Sequence, residues 1–473
     1  MDSKDVLIIG GGGTGLAAAV TSARLGKRVA VLEMRKTLGG NTSRAEGIFA
    51  ADSPAQRRNM IKAPADELFR FAMDYSHWQT DPRIVRAFID RSGDTIGWLE
   101  DMGLAFDWIP PYYPGQPFQT WHLIHGGGTG EKVVSSLIKE CEKLGVEFFL
   151  NTRARHLIFE DGRVCGVEAE TENGKAVFAA KAVVIGTGGF AANKELLEKY
   201  CPYYFDGMTC YAGANNGDGL VMCLEAGAAT EGLGLLFLNG PRFTGDFMLN
   251  GVCQEPGACW VNKQGRRYYD ESSTFRFERA YAVTRQPDHI SFTVFDSAIK
   301  ERIRSRGLDK GIGVMIKPGT VIPDLDSRLE SEIKKGNVFC GENLEELAEK
   351  AGIPADVFVK TIEEYNCACA SGRDPIFAKQ AEYLVPIEEG PFYAIRCESS
   401  FLSTIGGIRI NENMEVMASD GSVIRGLYAG GVDAGGWEMG SYNCVLSGSC
   451  AGFALSSGRI AGENASGYID CIK

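Results

Sequence analysis

Gly10, Gly12 and Gly15 stand in the G-x-G-x-x-G spacing within Gly10-Gly11-Gly12-Gly13-Thr14-Gly15. Those residue types at those intervals suit the binding of a dinucleotide. The first glycine permits a tight turn, the second lets backbone approach a pyrophosphate, and the third lets a following helix lie against a sheet. Glu33 completes the set, because a carboxylate at the end of the next apolar run can accept from both hydroxyls of an adenosine ribose and disfavours a 2′-phosphate. Further on, Gly39-Gly40-Asn41-Thr42-Ser43 offers backbone access and side-chain donors to a large ligand.

Any tight strand-to-helix turn can carry such glycines, so the elements around them decide the reading. Val6-Leu7-Ile8-Ile9 is a continuous apolar run, the pattern of a strand buried on both faces, and it feeds directly into the glycines. The stretch from Leu16 to Leu25 is rich in alanine, which predicts a close-packed helix whose N-terminus faces phosphate oxygens. Val29-Ala30-Val31-Leu32 then reads as the second buried strand. Strand, glycine turn, helix, strand and acid in that order predict a dinucleotide site over residues 5–33.

A chain of 473 residues exceeds one ordinary core and favours two domains. A formal net charge of −12 argues against a nucleic-acid or anionic-membrane surface, which would need a basic face. Met1-Asp2-Ser3-Lys4 leads straight into a core strand, leaving no room for a signal peptide, and no segment reaches the roughly 18 apolar residues of a membrane span. A cytoplasmic protein is expected. The 14 cysteines never form C-x-x-C, and the five histidines are scattered, so zinc, iron-sulfur, haem and dithiol readings lack their spacing and no metal is expected. Cys367-Ala-Cys369 is the nearest pair and reads as incidental; reduced, mostly buried thiols suit the cytosol of an anaerobe.

Residues 63–76 and 81–102 show helical periodicity, with Phe69, Met73, Val85, Phe88, Ile96 and Leu99 as core faces. Trp108-Ile109-Pro110-Pro111-Tyr112-Tyr113-Pro114-Gly115 must be a loop, since its prolines remove donors and fix φ. Trp121 to Gly130, with His122 and His125, opens a helix over 131–144, and Val146 to Leu150 is a strand. Arg155 to Glu170 reads as two strands joined at Asp161-Gly162. Ala182 to Gly189 is a buried strand ending in glycines, and Ala214-Asn215-Asn216-Gly217-Asp218-Gly219 turns into a helix. From Leu235 the composition changes: Gly265 to Glu271 reads as a polar hairpin, Asn343 caps a helix with an acid three residues on, and Ala355 to Tyr365 is another helix. At Leu402 the glycine-rich pattern returns. The simplest organisation is a first domain at 1–233, an inserted lobe at 234–401, and completion of the first domain by 402–473.

With those pieces in order, the chain resembles, end to end, the FAD-dependent family of fumarate reductase, succinate dehydrogenase and 3-ketosteroid dehydrogenase flavoproteins. The motifs are GGGGTG with Glu33, GGNT at 39–42, VVIGTGGF at 183–190, NGDGL at 216–220, VNKQGRRYYDE at 261–271, and TIGGI, GLYAGG and SGRIAG near the C-terminus. The resemblance implies an α/β fold: a Rossmann-like FAD-binding domain, discontinuous in sequence, with an inserted α+β capping domain. It implies FAD as cofactor, with Gly10, Gly12, Gly13, Thr14, Gly15 and Glu33 in the first βαβ unit and Gly40, Asn41 and Thr42 behind it. Ala154, Thr187, Gly188, Asp218, Ser403, Ser449, Cys450 and Ala451 fall on further cofactor-contacting positions. The acid that the family often carries after its GLYxxG strand falls on Val432, with Asp433 beside it.

Dicarboxylate reductases of that family hold substrate with two histidines and two arginines. Aligned by motif, those positions become Gly240, Phe275, Leu402 and a residue near Val445, with Arg276 one step from Phe275. The cationic clamp is not retained. Gly440 to Gly448 instead looks similar to ketosteroid-type members, where a tyrosine and backbone amides hold a ring ketone. Tyr442 is therefore the leading proton-transfer candidate, since a phenol with a pKa of about 10 stays protonated at neutral pH. Packing against the flavin is the alternative for Tyr442. Tyr112 and Tyr113 are candidates on the Pro-rich loop, which could equally be a lid, and Arg276 either reaches the site or forms a structural ion pair. His122 and His125 are expected to shape the flavin pocket.

The expected activity is hydride transfer between flavin and a C=C bond conjugated to a carbonyl, on a small hydrophobic enone such as a steroid or bile-acid-like 3-ketone. The alternatives are an unsaturated carboxylate of acrylate type held by Arg276, and a flavin electron-transfer subunit with no organic substrate. No second dinucleotide fingerprint is present, so electrons are expected from NAD(P)H or a separate redox protein.

Overall fold

The computed structural model describes residues 3–472 apart from 114, 214, 274, 275, 313 and 314, with Arg276 described by its backbone alone. The chain opens with β1 (Lys4–Ile9), α1 (Gly13–Arg24) and β2 (Val29–Leu32). α2 (Pro82–Glu100) starts where the Asp81 carboxylate accepts from the backbone of Arg83 and Ile84, and buries Ile84, Val85, Phe88, Ile96 and Leu99 on one face. α3 (Thr129–Lys143) leads to β3 (Glu147–Phe149), β4 (Arg153–Glu160), β5 (Arg163–Thr171) and β6 (Gly174–Ile185), and then to α4 (Asp218–Glu225). The hairpin expected at Asp161-Gly162 is present between β4 and β5, with φ of 51° and 71° at its two central residues.

After β7 (Thr230–Arg242) come β8 (Cys259–Asn262), α5 (Arg276–Thr284), β9 (Ile290–Phe295), β10 (Val338–Gly341), α6 (Leu344–Ala351) and α7 (Ala355–Ser371). β11 (Phe392–Ile408), β12 (Glu415–Met417), β13 (Val423–Ala429) and α8 (Ser449–Cys471) complete the chain. Two compact units result. One comprises the chain through Phe205, then Cys210–Phe237 and everything from Leu402 on; the other comprises Asp206–Thr209 and Leu238–Phe401.

The first unit is built on a sheet of order β12-β13-β5-β6-β1-β2-β3, with β4 against β5 and β13 also against β6. At its centre β1 runs parallel to β6 and β2, with Ile8 opposite Val184 on one side and Val31 on the other. Val6, Leu7 and Ile8 are wholly buried, as the uninterrupted apolar run requires. The alanines of α1 have a further use. A Cβ added at Gly458 of α8 would lie 2.3 Å from the Thr14 carbonyl oxygen, and one at Gly462 2.7 Å from that of Ala18, so small residues on both helices let their backbones nearly touch.

In the second unit the sheet order is β7-β11-β9-β8, with β10 also against β11. Its core gathers Val261, Phe292, Val294, Phe295, Phe358, Tyr365 and Ile395. Two local expectations change here. Gly265 to Glu271 forms no hairpin strands, only a bridge from Val261 to Arg267, because its charges face inward: Arg267 pairs with Glu271 at 2.7 Å and Asp374 at 2.9 Å. Lys379, equally buried, lies 3.4 Å from Glu271, and these cations hold both carboxyls below their ordinary range despite burial. At α6, Asn343 accepts from the Glu346 backbone as expected, but the Glu346 carboxylate accepts from Glu342 rather than from the capping residue.

Candidate functional site

The glycine turn after β1 separates packing from binding. Gly10 has φ +102°, and a Cβ there would come 2.3 Å from the Gly186 oxygen; at Gly15 it would come 1.9 Å from the Gly10 oxygen. Both must be glycine for the protein's own sake. At Gly12 an added Cβ meets nothing nearer than 4.0 Å, so the protein's own packing does not require a glycine there. That is the expected signature of a backbone kept bare for a pyrophosphate at a helix N-terminus.

The Glu33 carboxylate, at the end of β2, accepts from the Gly11 backbone at 2.8 Å and from the Arg35 backbone at 2.9 Å, one bond to each oxygen. Each oxygen keeps acceptor capacity for a ribose hydroxyl. A 3-10 turn at Gly40–Arg44 faces the glycines: the Gly13 backbone donates to Thr42 Oγ1 at 3.2 Å. Asn41 accepts from the Gly213 backbone and donates to Asn215, which donates in turn to the Thr187 carbonyl. Thus the loops after β2, after β6 and before α4 are tied into one rim. Ala154 is buried on β4, and beside it Arg153 forms a two-pronged pair with Asp218 at 2.8 and 2.7 Å, within a charged cleft of about 750 Å³ that also takes in Arg155, Lys194 and Glu195.

Asp433 ties the loop after β6 to the turn that follows β13. Its wholly buried carboxylate accepts from the Gly188 backbone at 2.7 Å, the Gly189 backbone at 2.9 Å and Thr187 Oγ1 at 2.8 Å, which fixes the loop after β6. Burial raises its pKa and those donors oppose the rise. Ser403 donates to the Thr404 carbonyl at 2.9 Å, while Thr404 Oγ1 accepts from the Phe190 backbone.

Gly448 with φ +86° turns the chain into α8, so Ser449, Cys450 and Ala451 form its first turn. A short strand pair that the sequence did not disclose holds this corner: Ile48–Phe49 against Trp121–His122, with the Phe49 backbone donating to the Gly448 carbonyl. His122 is buried within it. Its Nδ1 faces the Thr120 carbonyl at 2.9 Å and its Nε2 faces Ser53 Oγ at 2.7 Å, so one nitrogen donates and the other accepts. Burial pushes its pKa down to about 4, which makes it a neutral structural imidazole. His125 stacks on Trp108.

Tyr442 is 4% exposed and stacks on Phe237 with ring centroids 3.8 Å apart. Burial pushes its phenol well above the usual range, opposed by a hydrogen bond with Ser449. Tyr75 meets Ser441 at 2.7 Å and steadies this segment. Tyr112 packs edge-on against Trp121, and Gln116 ties the Tyr112–Tyr113 loop to it, accepting from the Tyr112 backbone and donating to the Val445 carbonyl and to Ser447. The aromatic loop and the Tyr442 segment are therefore brought together. Arg276 opens α5, but its side chain, like Phe275 beside it, lies outside the described residues.

Glu438 was missed at the level of sequence. It is 5% exposed, and Ser449 Oγ donates to it at 3.4 Å. The available signal was an acid inside Gly435-Gly436-Trp437-Glu438-Met439-Gly440, where everything else is apolar or small. Among the described residues no group of three or more His, Cys, Asp and Glu could hold a metal, and no helix is long and apolar enough to cross a membrane.

The family described as FAD binding domain matches residues 5–447. A vinyl phenol reductase of Lactiplantibacillus plantarum is 31% identical over 99% of this chain and 97% of its own length. An NADH:acrylate oxidoreductase of Vibrio harveyi is 29% identical over 99% of this chain, which spans 51% of that protein. Among solved structures, 3-ketosteroid-Δ4-(5α)-dehydrogenase from Rhodococcus jostii RHA1, in complex with 4-androstene-3,17-dione, superposes with a TM-score of 0.80 at 25% identity, over 98% of this chain and 97% of the other.

Proposed function

We propose, for a chain that belongs to the FAD binding domain family and is an FAD-dependent oxidoreductase acting on C=C and CH–CH bonds, that its substrate is a short side-chain alkene conjugated to an aromatic ring or a carboxylate, of the aryl acrylate type. The observation that carries this reading is the end-to-end 31% identity to a vinyl phenol reductase. The likeness to an acrylate oxidoreductase supports it, and so does the ring of Phe237 stacked on Tyr442, an aromatic surface beside the candidate acid.

FAD fits the residues present: the bare face at Gly12, the remaining acceptor capacity of Glu33, and the rim made by Thr42, Asn41, Thr187 and Gly188 would hold its dinucleotide part. Ala154, Asp218 and Ser403 complete that rim, and Ser449, Cys450 and Ala451 offer the start of α8 to the ring system, with Asp433 acting one step behind through the loop it fixes. Bound there, FAD supplies the hydride chemistry. The chain's own task is the proton: Tyr442 Oη delivers it to the alkene carbon next to the activating group, and a phenol kept protonated by burial is suited to that. Tyr112 and Tyr113, joined to the Tyr442 segment through Gln116, help to enclose the substrate. Electrons come from NAD(P)H or a redox protein.

A second reading, a ring enone such as a steroid 3-ketone, is favoured by the likeness to a steroid-bound dehydrogenase. Anaerobic stopped-flow on the dithionite-reduced holoenzyme separates the two. Rapid reoxidation by aryl acrylates or vinyl phenols is the expected result, and reoxidation by steroid enones alone would replace it with the second reading.

A further inference from the structure

The dinucleotide cradle has one charged neighbour still without a role. Arg35 stands two residues beyond Glu33, between β2 and the 3-10 turn at Gly40–Arg44. Its backbone N–H is given to Glu33, while its guanidinium keeps only an ion-pair distance to the same carboxylate. Nε is buried and has no hydrogen-bond partner among the described residues, with Glu33 Oε1 at 3.6 Å, beyond hydrogen-bond length. A Cβ added at Gly213 would lie 3.0 Å from Nη1 and 3.7 Å from Nη2, and one at Gly40 would lie 3.9 Å from Nη2 and 3.2 Å from the Gly12 Cα. The guanidinium therefore rests against bare backbone, one glycine removed from the open face at Gly12. Asn41, which accepts from the Gly213 backbone at 2.8 Å, fixes the loop on which it rests.

Charge makes that position informative. The pyrophosphate of FAD is doubly negative, and the Glu33 carboxylate, 5% exposed, adds to it at the same end of the cradle. Gly10 to Gly15 contains no cation, and α1 brings none before Arg24 in its last turn. The N–H groups and dipole of a helix N-terminus amount to only about half a charge. The other arginines of the rim are committed elsewhere: Arg44 donates to the Tyr211 carbonyl at 3.1 Å, Arg153 forms its two-pronged pair with Asp218, and Arg155 pairs with Glu170 at 2.8 Å. Gly40 and Gly213 have no side chain to cover the Arg35 fork, and a guanidinium fork matches phosphate oxygens two at a time.

From this arrangement we infer that Arg35 is a cofactor-binding residue, whose Nη groups pair with the pyrophosphate of FAD while its Nε side balances Glu33. The inference rests on FAD occupying the cradle at Gly12 and Glu33. It divides recognition at one end of the cofactor between two side chains of opposite charge. Glu33 takes the ribose hydroxyls and selects an adenosine without a 2′-phosphate. Arg35 selects the dinucleotide, because FMN and riboflavin have no pyrophosphate to reach it. ADP carries the same phosphate chain as the adenosine half of FAD and is recognised by the same pair of residues.

The test compares the full wild-type chain with Arg35→Gln, which keeps a polar tip without the charge, and Arg35→Lys, which keeps the charge without the fork. FAD binding is read from the quenching of flavin fluorescence at low and at high salt, and ADP and millimolar adenosine are titrated as competitors. Arg35→Gln is expected to raise the Kd of FAD and of ADP about 10- to 100-fold and to flatten the salt dependence of both. Adenosine competition and the melting temperature of the flavin-free chain should stay at their wild-type values, and Arg35→Lys should recover part of the affinity. An unchanged Kd for FAD in Arg35→Gln would overturn the inference and, if the melting temperature fell, would leave Arg35 as a structural counter-ion of Glu33. An equal loss for adenosine would also overturn it, since Arg35 would then act on the base rather than the phosphates. Failure of the wild-type chain to bind FAD or ADP would instead remove the cradle on which the inference rests.

Discussion

Two passages in the first unit carry the chain from a strand of the central sheet through glycines into a long buried helix. From β1 to α1 the turn is tight, and the side chains in it are hydrogen or nearly so. From β13 to α8 the chain makes an excursion over residues 430–448 and fills it with buried polar groups: Asp433, Glu438, Tyr442, Asn443 and Ser447. The first passage can present only backbone, which suits phosphate and nothing that needs a proton. The second presents a buried phenol at Tyr442 and a buried carboxylate at Glu438 that accepts from Ser449, side chains that carry exchangeable protons. On the proposed function, the same strand-to-helix architecture serves binding when short and chemistry when long.

The largest effect should come from breaking the second passage at its phenol. Tyr442→Phe is expected to lower single-turnover alkene reduction about 10²- to 10⁴-fold while bound flavin per chain stays at the wild-type level. Loss of flavin in that variant, with the surviving holo fraction fully active, would mean that the excursion binds rather than reacts.

Next in size is a pair of alanine substitutions in the first passage. Gly15→Ala forces a Cβ to within 1.9 Å of the Gly10 oxygen, backbone against backbone, and should cost about 3 kcal/mol or more of apoprotein stability as well as flavin binding. Gly12→Ala has room in the protein and should leave the apoprotein's melting temperature nearly unchanged while abolishing flavin binding. Equal melting losses in the two would show that Gly12 is there for packing and would remove the argument from its bare face.

Much of the first passage was legible because its determinants are local. The buried run at Val6 to Ile9, the glycine spacing and Glu33 lie within a single stretch, and the hairpin at Asp161-Gly162 needs only its two turn residues. The second passage was legible only in part. Tyr442 emerged through resemblance, whereas Glu438 did not, because its meaning depends on Ser449 across the turn into α8. Asp433 was expected to touch cofactor, and its partners at Thr187, Gly188 and Gly189 are more than 200 residues away in sequence. The charges of Arg267 and Glu271 suggested an exposed hairpin for the same reason: Asp374 and Lys379, which draw them inward, come about a hundred residues later. Spacing reports neighbours along the chain, and buried polar pairs are made between distant ones.

The strand pair that braces Gly448 should make the second passage the more acid-sensitive. His122 is buried neutral, with its pKa lowered to about 4 against about 6.5 in the unfolded chain. Between those values the unfolded chain binds the extra proton, so the stabilisation is complete above pH 6.5 and falls as pH drops toward 4. About 2 kcal/mol should be lost by pH 5, read as a shift of the denaturant midpoint of the apoprotein. In His122→Asn that part of the pH slope should vanish, whatever the starting stability. If hydrogen exchange at pH 5 opened the Gly10–Gly15 turn before Ile48–Phe49 and Trp121–His122, the assignment of acid lability to this corner would fail.

The smallest effect sharpens the comparison most, because it places a side chain in the passage said to need none. Thr42 Oγ1 accepts from the Gly13 backbone at 3.2 Å, its methyl group packs beside the same glycine, and a Cβ at Gly13 would meet the hydroxyl at 2.5 Å. Thr42→Val keeps the shape and removes the acceptor, leaving the Gly13 N–H without its partner at the helix start. That should weaken flavin binding by about 1 kcal/mol, roughly fivefold in Kd, with no change in the rate of alkene reduction by the enzyme once loaded. Thr42→Ser restores the acceptor without the methyl and should recover most of the affinity. A slower reaction in loaded Thr42→Val would mean that the first passage also reaches the chemistry; an affinity loss that Thr42→Ser fails to recover would mean that packing of the methyl group, not its hydroxyl, holds the two loops together.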